Sequence, residues 1–154
     1  MRKLLDKITA ALAARIGREK AETAVQLACF CFVGGINTLV DMGVFSLFYY
    51  LVFGGNDALR AIPFTVGYLA GVVCSFILNR TLTFRSKGSV KKQWLPFLIV
   101  NLITLGLGQG ALALLGTAGI EGILAKLITV PVTLIINFIG SRLIVFRKEP
   151  AEKE

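Results

Sequence analysis

The stretch FVGGINTLVDMGVF, Phe32–Phe45, places an amide and a carboxylate inside an apolar run. Asn37 and Asp41 stand four residues apart, slightly more than one helical turn, so in a helix both side chains project from one face. The run around them, residues 25–53, has Asp41 as its only charge and is long enough to cross a membrane. A face of this kind meets protein, water or a polar ligand rather than lipid.

Three further apolar stretches follow: residues 61–78 without a charge, about 95–115, and about 122–141 interrupted only by Lys126. Each approaches or exceeds the roughly 20 residues that a helix needs to span hydrocarbon. Charged residues make up 17% of the chain and mean hydropathy is +0.75, against about a quarter charged in ordinary soluble domains. The expected fold is all-α and integral to the membrane, with four transmembrane helices at about 25–53, 61–79, 95–115 and 122–142. They form a single membrane domain over residues 1–154, with a cytoplasmic amphipathic segment at 1–24 and a cytoplasmic tail at 143–154.

Lysine and arginine set the orientation. Arg2, Lys3, Lys7, Arg15, Arg18 and Lys20 precede the first span; Arg80, Arg85, Lys87, Lys91 and Lys92 lie between the second and third; Arg142, Arg147, Lys148 and Lys153 follow the fourth. Only Arg60 and Lys126 fall towards the other side, so both termini are expected in the cytoplasm. The net charge of +8 is accounted for by this topology and by attraction to anionic headgroups, not by nucleic acid. No cleavable signal peptide is recognisable, and the first span is expected to serve as the targeting signal.

The chain has no histidine, and Cys29, Cys31 and Cys74 all lie in apolar stretches, which offers no metal-ligand set. No cofactor is implied, no P-loop is present, and no carboxylate pair shares an apolar segment. The expectation is a protein that is not an enzyme.

Ahead of the first span, Leu4, Leu5, Ile8, Leu12 and Ile16 recur at spacings of mostly three and four among basic residues, the pattern of a helix lying in the cytoplasmic interface. Gly67, Gly71 and Ser75 in helix 2, and Gly106 and Gly110 in helix 3, are expected at close helix contacts. Pro131 is expected to bend helix 4.

The ends of helices 2 and 4 form a repeat. Phe76, Arg80, Phe84 and Arg85 recur 62 residues later as Phe138, Arg142, Phe146 and Arg147. Helices 1 and 3 echo this through Asn37 and Asn101, 64 residues apart. The chain therefore reads as two tandem helix pairs of the same orientation, a parallel repeat.

GGINTLVDMGVF in helix 1, SFILNRTLTF ending helix 2 and NFIGSRLIVF ending helix 4 resemble the signatures of the GtrA family, over nearly all of the chain after residue 25. The motif residues are Phe76, Asn79, Arg80 and Phe84, then Asn137, Phe138, Arg142 and Phe146. The sequence departs from the family pattern at Ser75, at Leu82 and Ile144 where an aromatic is usual, and at Ser141 opposite Asn79. The resemblance implies a small four-helix protein of the bacterial cytoplasmic membrane that flips a polyprenyl-phosphate-linked sugar, such as undecaprenyl-phosphate glucose, for modification of O-antigen, teichoic acid or a related glycan. The expected partners are the lipid-linked sugar, membrane lipids and, for a non-transporting anchor, a polyprenyl-phosphate glycosyltransferase. Four helices are few for enclosing so bulky a substrate, which favours a lipid-facing groove or a second copy of the chain.

Such a substrate needs cations for its phosphate and hydrogen-bonding groups for its sugar. Arg80 and Arg142 are the candidates for the phosphate, because a guanidinium binds phosphate oxygens through two parallel donors; arginines that only fix topology are the alternative. Asn37 and Asp41 are the candidates for the sugar hydroxyls, and Asn79, Asn137 and Lys126 are further candidate substrate-binding residues. Asp41 and Lys126 both fall in the outer half of the bilayer, and pairing them would offset about 2.5–3.5 kcal/mol of insertion cost for each charge. Asp41 thus has a structural and a substrate reading, and Asn37 has a competing one as a hydrogen bond across to helix 3. Two other functions compete with translocation: a non-transporting anchor of the glycosyltransferase, and an exporter of the small-multidrug-resistance kind.

Overall fold

The structure is a computed structural model that describes residues 2–120 and 122–147. Lys148 and Lys153 of the basic tail lie outside the described residues. The described chain is helical, with no strand: α1 (Arg2–Ile16), α2 (Arg18–Ser46), α3 (Ala61–Leu78), α4 (Val90–Thr117) and α5 (Gly122–Gly140). Three π-helical turns extend α2, α3 and α5, at Leu47–Val52, Asn79–Thr83 and Ser141–Val145.

With these turns, the four long helices run 35, 23, 28 and 24 residues. At about 1.5 Å per residue, even the shortest exceeds the ~30 Å hydrocarbon thickness. Their large apolar side chains point outward: Leu39, Leu51, Ile123 and Leu127 are each more than two-thirds exposed. That inverts the arrangement of a water-soluble protein and suits lipid as the surrounding solvent. Against the expected spans, α2 and α4 start earlier, at Arg18 and Val90, and the second and fourth spans run on through their π-turns to Thr83 and Val145.

The chain forms two compact units, Met1–Arg85 and Ser86–Glu154, so the membrane domain is built from two helix-pair units. In the first, Gly17, at φ +83°, breaks the helix between α1 and α2, a conformation that costs glycine little. The stripe of Leu5, Ile8 and Leu12 on α1 then faces Val25, Cys29 and Phe32 of α2 across an apolar cleft of about 350 Å³. Arg85 closes the unit by an ion pair with Asp6, joining the end of the α3 segment to α1. At the base of the hairpin, Phe30 and Phe84 meet edge to face at 6.1 Å.

The second unit pairs α4 with α5. Its equivalent aromatic contact joins Phe97 and Phe146 at 6.0 Å. Gly140 allows close approach here, since a methyl in its place would stand 2.8 Å from Val100 Cγ1. Both α4 and α5 continue through a proline, Pro96 and Pro131 respectively.

The repeat reaches the backbone. α3 ends at Leu78 and α5 at Gly140, 62 residues apart, and each is followed by a five-residue π-turn. Phe84 N–H donates to the Asn79 carbonyl at 2.8 Å, and Phe146 N–H to the Ser141 carbonyl at 2.8 Å. For the first helices of the pairs, the structure corrects the register. Phe97 takes the role of Phe30, a displacement of 67 rather than 64, so Asn37 corresponds to Thr104 and not to Asn101. A second correction concerns Gly106 and Gly110, which face open space; it is Gly108 that touches a neighbouring helix, where an added methyl would lie 3.1 Å from Thr133 Cγ2.

Candidate functional site

The Asn37–Asp41 face of α2 lies against the glycine face of α3. A methyl at Gly67 would stand 2.7 Å from both Asp41 Oδ1 and the Asp41 carbonyl; one at Gly71 would stand 2.7 Å from Asn37 Oδ1. Only a residue without a side chain leaves room for these oxygens. Asn37 and Asp41 are half-buried, and Asn37 Oδ1 is sealed without a hydrogen-bond partner. The expected hydrogen bond from Asn37 across to helix 3 is therefore not made through that oxygen. The two residues are brought together, as their spacing required, and their neighbour is α3 of the same unit.

Asn79 opens the π-turn of the first unit and is 1% exposed. Its amide donates to Ser75 Oγ at 3.2 Å, and its oxygen accepts from Thr83 Oγ1 at 2.9 Å. This residue is held by its own helix. Arg80 follows it, half-buried. A π-turn is wider than an α-turn and frequently accompanies a functional site.

In the second unit, Asn137 Nδ2 donates to Asn101 Oδ1 at 3.3 Å, and Asn101 Nδ2 donates to the Phe97 carbonyl at 2.9 Å. Asn137 Oδ1 and Ser141 Oγ are both buried without a partner. Arg142 is half-buried in the second position of this π-turn, as Arg80 is in the first. Lys126 is exposed one turn into α5. Asp41 and Lys126 belong to different units.

Three features of these surroundings escaped sequence reasoning. The Arg85–Asp6 ion pair joins residues 79 apart, and no local pattern announces it. The Asn101–Asn137 bond depends on the pairing of α4 with α5. The unpartnered state of Ser141 follows from what its neighbours lack. Among the described residues, no group of three or more His, Cys, Asp or Glu side chains gathers around a common point.

These features define a small multi-pass membrane protein of two helix pairs, each ending in a π-turn that carries an arginine. The chain belongs to the GtrA/DPMS transmembrane-domain family, whose model matches residues 29–146. It is 34% identical over 131 residues to the uncharacterized membrane protein YngA of Bacillus subtilis (strain 168), covering 84% of this chain and 82% of that one. It is 28% identical over 128 residues to the uncharacterized membrane protein YwcD of the same organism, covering 80% and 98%. No solved structure matches the chain significantly.

Proposed function

We propose that this protein moves a polyprenyl-phosphate-linked sugar across the bacterial cytoplasmic membrane, with both of its termini on the cytoplasmic side. One observation carries the reading. Arg80 and Arg142 occupy the same position in two π-turns that repeat at 62 residues, each half-buried at the end of a membrane-spanning helix. A guanidinium at a helix end offers a planar set of donors that matches two phosphate oxygens. Membership of the GtrA/DPMS family supports polyprenyl-phosphate sugar as the class of ligand. Asn37 and Asp41 supply a carbonyl and a carboxylate within the bilayer, the groups that sugar hydroxyls pair with once water is removed.

The test is reconstitution of the purified protein in liposomes with a radiolabelled polyprenyl-phosphate glucose, followed by its movement to the opposite leaflet. Movement above that of empty liposomes supports translocation. No movement, together with stimulation of a co-reconstituted glycosyltransferase, would replace it with the anchor reading.

A further inference from the structure

We propose that Ser141 and Asn137 form a hydroxyl-recognising position in the second unit, completed by a sugar hydroxyl of the lipid-linked substrate, whereas the corresponding position in the first unit is closed by its own side chains. The inference rests on the substrate class proposed above and adds the group that is read and the residues that read it.

The direction of the amide chain is fixed by the backbone. Only the NH₂ of Asn101 can donate to the Phe97 carbonyl, so its Oδ1 points the other way and receives the NH₂ of Asn137. Turning either amide over would set two oxygens against each other. The chain must therefore end in an acceptor, Asn137 Oδ1, and that atom is sealed and unpartnered. Ser141 stands one turn further along the same helix, is 0% exposed, and its Oγ is likewise unpartnered. Gly140 lets this stretch approach Val100 of α4 closely, which helps to bury it. Two buried polar atoms without partners are costly, and in native proteins such groups are normally satisfied by water or a ligand.

The pair selects the chemistry of what completes it. Asn137 Oδ1 only accepts, so its partner must donate; Ser141 can donate or accept. An ionised phosphate oxygen only accepts and cannot serve Asn137. A hydrocarbon serves neither. A hydroxyl donates to Asn137 and accepts from Ser141, the residue at which the π-helical turn begins.

The first unit shows what closure looks like. Its positions 75, 79 and 83 hold Ser, Asn and Thr, and Thr83 donates to Asn79, which donates to Ser75. The matching positions 137, 141 and 145 hold Asn, Ser and Val. Valine has no hydroxyl to donate, so the network that seals the first unit lacks its last member in the second.

The experiment compares binding of a polyprenyl phosphate with and without a glucosyl group by native mass spectrometry, alongside the Tm of the lipid-free protein. Unmodified protein should prefer the glucosylated lipid by about tenfold, the worth of one or two hydrogen bonds. Ser141→Ala removes one of the two hydrogen bonds and should cut the preference for the glucosylated lipid to about threefold or less without lowering Tm, because the hydroxyl it removes has no partner in the fold. Ser141→Asn combined with Val145→Thr rebuilds the first unit's network and should raise Tm while abolishing the preference. It also serves as the reading if Ser141→Ala does not fold. Undiminished preference in the folded variants, with or without a lower Tm, would assign Ser141 to the fold or to a bound water and overturn the proposal. Binding of the bare lipid without preference in the unmodified protein overturns it too, leaving the broader substrate class standing. Binding of neither lipid removes both.

Discussion

The Asp41 carboxylate rests against the backbone of Gly67, so closely that a methyl there would stand 2.7 Å from Asp41 Oδ1. α3 closes on this carboxylate and offers it a Cα–H surface. Gly67→Ala must push α2 and α3 apart or force Asp41 out of place, as Gly71→Ala must do to Asn37. Each should cost about 1–3 kcal/mol, the usual penalty of overpacking. Gly106→Ala, into open space, should be neutral or stabilising by up to about 1 kcal/mol, since alanine is the better helix former. Melting temperatures in detergent check the contrast, and equal shifts at Gly67 and Gly106 would refute the contact.

Arg80→Lys and Arg142→Lys keep the charge but lose the planar donor pair. Each should weaken binding of a polyprenyl phosphate several-fold while expression and Tm stay near those of the unmodified protein. Titration followed by thermal shift or native mass spectrometry measures this. Unchanged affinity in both variants would reduce the two arginines to topology markers.

Fifteen of the seventeen lysines and arginines lie on one predicted side, so a reporter that works only in the cytoplasm should be active when fused after Glu154. A reporter active only outside the cytoplasm, working at the same junction, would invert the topology on which the site assignment depends.

Span number could be read directly from the sequence because apolar runs and charge clusters are separate along it, and no tertiary information is needed to see them. The repeat of helices 2 and 4 was legible for a related reason: Phe76, Arg80 and Phe84 share spacing and chemistry with Phe138, Arg142 and Phe146. Helices 1 and 3 share only a sparser pattern without a charge, Gln26, Phe30 and Val33 recurring as Gln93, Phe97 and Val100, which is hard to tell from the apolar background. Two asparagines therefore suggested a displacement of 64, while Phe30 and Phe97 in matching contacts set 67. The glycines show the same limit. Gly67–Gly71 and Gly106–Gly110 have the same spacing, yet only the first pair faces another helix, because spacing defines a face and says nothing about what covers it. Ser141 was visible as a departure from the family pattern. Its meaning required knowing that Asn79, Ser75 and Thr83 bond to one another.

Asp41 separates a structural charge from a functional one. Asn is nearly isosteric with Asp, so Asp41→Asn preserves the close fit against Gly67 and removes only the charge. If the carboxylate serves chiefly to neutralise Lys126, the single variant leaves an unpaired cation and loses stability, and adding Lys126→Met removes that cation and restores both Tm and transport. If it meets the sugar or carries a proton, the double variant folds without transporting. Lys126 is exposed, whereas Asp41 is half-buried beside the unpartnered oxygen of Asn37, which favours a role for Asp41 beyond charge balance. We therefore expect Asp41→Asn and the Asp41→Asn, Lys126→Met pair to retain a Tm close to that of the unmodified protein and to lose transport at least tenfold. Measuring Tm and transbilayer movement on both single variants and the double variant decides the matter, and transport restored in the double variant would leave Asp41 as a counter-ion and nothing more.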